Sequence, residues 1–131
     1  MRRTFLITLL VALFMLLLSA CGPKTADFTA TLKEYSFTPN RFEVPANAQV
    51  NLTLINDGTL EHEFVIMNMG TLATAPFSDD DEDNIFWEQE LEAASSLVVT
   101  FTAPGQPGEY EVVCGIPEHL EQGMQATLIV H

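Results

Sequence analysis

The chain is predicted to fold as an all-β sandwich. Apolar and polar residues alternate with a period of two in about seven short segments. Clusters of Gly, Pro, Asn and Asp punctuate those segments. Beyond the first twenty residues, no run keeps a helical period over several turns.

Residues 1–20 read as a secretory signal peptide that lies outside the fold. Arg2 and Arg3 make a basic start, an apolar run from Phe5 to Leu18 follows, and Ser19 and Ala20 are small. The run is too short to span a membrane, and Gly22-Pro23 closes it early. Leu18-Ser19-Ala20-Cys21 resembles the lipobox of bacterial lipoproteins. That resemblance implies lipidation of Cys21, a short tether over residues 21–26 and a domain over 27–131. More than one acyl chain gives stable anchoring. The expected location is the exported side of a cell membrane, facing the periplasm or the exterior.

The domain that remains has about 110 residues, enough for one core. Lys and Arg number 5 against 18 Asp and Glu, a net charge of −13, and loss of Arg2 and Arg3 makes the balance more acidic. Such a surface argues against nucleic acid as a partner and favours either a protein with a basic docking face or a high-salt or high-pH habitat, between which the sequence does not choose. With Cys21 lipidated, Cys114 is the one thiol left, so no internal disulfide can form.

Phe28, Ala30 and Leu32 alternate with polar neighbours in the first strand; Phe37 to Asn40 reads as a turn, and Phe42 to Val44 as a short strand ended by Pro45. Val50 to Ile55 alternates again before the Asn56-Asp57-Gly58 turn, and His62 to Met67 follows. Residues 70–96 read as an acidic excursion, with Ser78 to Asn84 at its tip and a short helical turn over Trp87 to Ala94. Strands over 97–102, 109–114 and 125–130 complete an antiparallel sandwich. The acidic tip lacks the glycine of an EF-hand loop. Serine hydrolysis has no support, because no Gly-x-Ser-x-Gly elbow is present.

The segment Cys114 to Met124 carries the chemistry. It holds Cys-x4-His-x4-Met, a thiolate, an imidazole and a thioether, with Gly115, Pro117 and Gly123 favouring a tight loop. Soft sulfur donors with imidazole select copper, and two histidines plus one cysteine with a weak axial methionine form a type 1 site. The second histidine is His62 or His131. His62 opens a strand after a turn, whereas His131 is the last residue shown, so His62 is preferred.

On these residues, together with Phe37-Thr38-Pro39 and Glu61 to Phe64, the chain resembles the cupredoxin family of type 1 copper proteins. The resemblance implies a Greek-key β-sandwich with one copper cycling between Cu(II) and Cu(I). It implies ligation by His62, Cys114, His119 and Met124, and single-electron transfer by a monomeric carrier without substrate turnover. Redox proteins are then the partners. Copper delivery or buffering with the same ligands is the alternative. Two positions depart from the family pattern: Glu63 stands where many members have asparagine, and Glu118 where many have glycine. Ile116, Pro117, Leu120, Met67 and Met69 are expected to form an apolar docking face, with His119 as the electron's exit.

Overall fold

The computed structural model describes residue 22 and residues 24–131. The expected signal peptide and Cys21, the expected lipidation position, lie outside the described residues.

Among the described residues, nine strands and one helical turn follow one another: β1 (Thr25–Lys33), β2 (Ser36–Thr38), β3 (Arg41–Val44), β4 (Gln49–Asn56), β5 (His62–Met67), α1 (Asp79–Glu82), β6 (Ile85–Leu91), β7 (Ser96–Thr102), β8 (Gly108–Val113) and β9 (Gln125–Val130). They build two sheets, ordered β2-β1-β4-β7 and β3-β9-β8-β5-β6. The Greek-key β-sandwich expected from the sequence is the fold observed.

Strand direction differs from the expectation in two places. β1 runs parallel to β4, and β3 runs parallel to β9. Side-chain alternation reports which face is buried and carries no information on the direction of the neighbouring strand. The remaining pairs are antiparallel.

The inner faces interdigitate. Leu32 from β1 and Val50, Leu52 and Leu54 from β4 meet Phe64 and Ile66 from β5 and Leu128 from β9. Phe64 lies among Phe37, Phe42 and Trp87, with ring centroids 5.5, 5.6 and 6.4 Å away. Trp87 stacks on Phe101 at 4.6 Å, joining the edge strands β6 and β7 of the two sheets.

The expected helical turn over Trp87 to Ala94 is absent. Residues 85–91 form β6, which pairs with β5 from His62 opposite Leu91 to Met67 opposite Ile85. Ile85, Trp87, Gln89 and Leu91 are the less exposed positions and alternate with exposed Phe86, Glu88 and Glu90. The helix propensity of Glu, Gln, Leu and Ala yields here to sheet pairing and to burial of Trp87. The helical turn is α1, in the acidic tip.

The rest of the excursion covers the outer face of the five-stranded sheet. Ala73, Phe77 and Ile85 pack on Val65, Met67, Val113 and Leu120, a second small core. Glu111 accepts a hydrogen bond from the Ala73 amide at 2.7 Å. Buried Asp81 organises the tip: its carboxylate accepts from the Thr74 amide at 3.0 Å and from the Ser78 amide at 3.0 Å. The acidic run thus holds one structural carboxylate among solvated ones.

The bond from the Thr74 amide, reinforced by those from Ser78, holds the Asp81 carboxyl below its ordinary value. Its stabilisation is therefore present above the unfolded aspartate pKa and is lost as pH falls through the lowered folded value. Asp81→Ala is expected to speed hydrogen exchange at the Thr74 and Ser78 amides about tenfold near neutrality. That difference should disappear in strong acid, and equal exchange at neutral pH would remove the structural role.

Candidate metal centre

Three neighbouring strands, β5, β8 and β9, and one loop carry the donors to one end of the sandwich. β8 ends at Val113, so Cys114 is the first residue beyond it, and Met124 is the last residue before β9. Val113 pairs with Gln125, and the Cys114 amide then donates to the Met124 carbonyl at 3.2 Å, closing the neck of the loop. Inside it, the His119 amide donates to Ile116 at 3.2 Å, Gly123 to Leu120 at 2.9 Å and Met124 to His119 at 3.1 Å. Short-range bonds of this kind replace the strand ladder and fold the loop onto itself. Gly123 has φ +88°, as a left-handed turn residue should.

His62 opens β5 beside this loop. The three donor atoms converge: His62 Nδ1 lies 3.1 Å from His119 Nδ1, and Cys114 Sγ lies 3.3 Å from His119 Nδ1 and 4.0 Å from His62 Nδ1. Donors sharing one first-row ion at about 2.0–2.3 Å each sit roughly 3–4 Å apart, so the spacing fits a single metal. All three residues are buried, and they form a His/Cys/Asp/Glu cluster in which every ligand atom lies within 4.8 Å of the others. The soft thiolate with two imidazoles fits copper. Met124 is fully buried in the same core cluster as Cys114. His131 is not part of the group. It lies at the far end of β9, about 20 Å along the strand from Met124, where its amide bonds the Val44 carbonyl and its carbonyl accepts from Ala46.

Burial sets the protonation state. Desolvation pushes the Cys114 thiol up to about 11, outweighing the hydrogen bonds that favour the thiolate. Burial also lowers both His62 and His119. Near pH 7 the ligands without metal are thus a neutral thiol and two neutral imidazoles. The Glu63 amide donates to Cys114 Sγ at 3.3 Å, a bond aimed at the sulfur that must carry negative charge once metal binds. His62 Nε2 is buried without a hydrogen-bond partner, leaving Nδ1 as the nitrogen that faces the cluster.

Both departures from the family pattern have a structural reading. The Glu63 side chain lies on the outer side of β5, because Phe64 faces the main core and Val65 the second one. Its carboxylate lies over Gly115, so an added Cβ there would have to displace the Glu63 side chain. Burial first, then the carboxylates of Glu88 and Glu90, raise Glu63 to about 7. Glu118 is exposed and has φ +72°. That left-handed backbone explains why glycine suits the position.

The expected apolar docking face does not form as proposed. Met67 and Leu120 are buried in the second core. The exposed apolar residues near the centre are Tyr35 and Leu60, 40% and 43% exposed, with Pro117 on the loop. His119 is 5% exposed, while His62 and Cys114 are fully buried, so His119 is the donor nearest the surface. Sequence reasoning missed Glu34, Tyr35 and Asn56 as neighbours of the site. Asn56 is legible only as a turn residue, and the other two carry no signal.

The fold and the donor cluster are those of a cupredoxin, and the chain belongs to that family: the model of the cupredoxin-like domain matches residues 6–130. Among its relatives is auracyanin-B of Chloroflexus aurantiacus, 28% identical over 123 residues, covering 82% of this chain and 52% of that protein. The chain thus spans about half the length of that relative. Among solved structures, the dithionite-reduced auracyanin of Roseiflexus castenholzii superposes with a TM-score of 0.66 at 26% identity, covering 84% of this chain and 99% of that one. A structure of auracyanin B gives 0.67 at 23% identity, covering 86% and 93%, a likeness of fold.

Metal uptake must displace the Cys114 proton, since the thiolate is the ligand and both histidines are already neutral. Copper binding near pH 7 is expected to release about one proton per ion, and affinity should rise about tenfold per pH unit below the thiol pKa. Calorimetry in buffers of different ionisation enthalpy measures both; release of none would contradict the neutral thiol. Glu118→Gly should leave folding stability unchanged or raise it by up to about 1 kcal/mol, as read by thermal unfolding. A clear loss would show that the Glu118 side chain supports the loop.

Proposed function

We propose that the protein is a single-electron carrier in which His62, Cys114, His119 and Met124 would hold one type 1 copper. The observation that carries this reading is the convergence of two imidazole nitrogens and one thiol within 4.8 Å, all buried, at the end of a rigid sandwich. Copper supplies the one-electron couple. The chain's own residues do the rest. His62 is fixed by the β5 ladder, Cys114 and Met124 by the neck of the loop, and His119 by three short-range backbone bonds around it. Such anchoring keeps the ligands from rearranging when charge changes, and packed sandwich interiors resist deformation. His119, nearest the surface, gives the electron its exit.

An enclosed site supports a carrier over an enzyme, since chemistry on a substrate needs an open position on the metal. It also favours electron transfer over copper delivery, because delivery requires donors that an acceptor can reach. The acidic surface, with 18 Asp and Glu against 5 Lys and Arg, supports docking by a basic redox partner. The Leu18 to Cys21 sequence supports lipid anchoring on the exported side of a membrane.

Addition of Cu(II) to the purified protein is expected to give intense visible thiolate-to-copper absorption. Cys114→Ser should abolish it and His131→Ala should retain it; a folded, colourless wild type would end the proposal. Cys21→Ser should move the protein from the membrane fraction to the soluble fraction, and retention in the membrane would remove the lipid anchor.

A further inference from the structure

The turn between β1 and β2 touches both sides of the metal centre. We propose that its two residues, Glu34 and Tyr35, are positioning residues that clamp the two imidazoles, Glu34 through the loop before His62 and Tyr35 by direct contact with His119. This deepens the copper reading and rests on it.

Glu34 holds the loop over residues 57–61. Its carboxylate accepts from the Thr59 amide, from the Thr59 hydroxyl at 2.9 Å and from the Leu60 amide at 3.2 Å. The approach is close: a Cβ on Gly58 would lie 2.8 Å from Glu34 Oε1, so any other residue there would have to displace that carboxylate. Asn56 grips the same loop from inside the sandwich. Its amide nitrogen donates to the Leu60 carbonyl at 2.8 Å and its oxygen accepts from Gly58 at 2.9 Å. Asn56 is itself tied to the Leu91 and Glu92 carbonyls, each at 3.1 Å. A loop held on two sides delivers His62 in one orientation. Glu34 and Asn56 both belong to the four-stranded sheet, so the loop before His62 is gripped from the sheet opposite β5.

Tyr35 meets the other imidazole. Its ring stands edge-on to His119, with centroids 5.3 Å apart and an interplanar angle of 79°. Its backbone has φ +61°, a region that bulky side chains avoid and that glycine or asparagine fills freely. The ring is 40% exposed, so core burial does not explain its presence. Strain retained beside a functional group points to use of the side chain there.

Hydrogen bonds from Thr59 hold the Glu34 carboxyl near 2, so it is ionised at any physiological pH. A fixed negative charge bound to the loop that leads into His62 favours the more positive, oxidised state of an ion held there.

Four variants of the purified protein test the clamp: Glu34→Ala, Glu34→Gln, Tyr35→Gly and Tyr35→Phe. Without copper, Glu34→Ala should speed exchange at the Thr59 and Leu60 amides about tenfold, and Glu34→Gln, which keeps an acceptor, should do so less. With copper, both Glu34 variants should raise the reduction potential. Tyr35→Gly, which relieves the backbone, should shift the potential and the visible spectrum, and Tyr35→Phe should restore wild-type values. Wild-type potentials and spectra in Glu34→Ala and Tyr35→Gly would overturn the clamp, even if exchange or stability changed. A wild type that takes no copper would instead fail the underlying copper reading.

Discussion

The neck of the 114–124 loop is the constraint on which the site depends. Where β8 and β9 stop pairing, the Cys114 amide still reaches the Met124 carbonyl, and the Met124 amide turns back to His119. One end of a sheet thereby fixes a thiol, a thioether and an imidazole within eleven residues of sequence. Nothing in the loop alone would achieve this, because a loop of that length has many closed conformations and pays entropy to choose one. The choice is enforced by the ladder below it and by His62 on the neighbouring strand β5.

Burial then makes the site uncharged before metal arrives. The same desolvation that holds the Cys114 proton keeps both imidazoles neutral. A buried ion needs compensation, and the exchange of one proton for a metal ion bound to one thiolate supplies part of it. The Glu63 amide, directed at the sulfur, supplies more. The Glu63 carboxyl acts the other way. It lies on the outer face of the sheet, over Gly115 and among other carboxylates, and its charge adds to the burial that raises the Cys114 thiol.

Much of this was legible in the sequence, for physical reasons. Cys114, His119 and Met124 have donor chemistry that few other roles require together, and the glycines and proline between them demand a turn. His62 followed from position, and the structure places His131 at the wrong end of β9 to compete. The strand at 85–91 was not legible, since Glu, Gln and Leu favour a helix until β5 offers a ladder and Phe101 a stacking face. The parallel pairs β1–β4 and β3–β9 are set by chain path between sheets, which local periodicity does not encode. Tyr35 and Glu34 acquire meaning only when the sandwich brings a hairpin turn from one sheet against ligands from the other.

The central claim is that the protein holds its donors in place and a metal joins them without rearrangement. Crystal structures of the copper-loaded protein, oxidised and reduced, with anomalous data at the copper edge, test it most directly. The expected result is one copper among His62 Nδ1, Cys114 Sγ and His119 Nδ1, with the loop backbone unchanged between the two states. Copper bound elsewhere, such as the acidic tip at 79–83, or a loop that refolds on reduction, would contradict it.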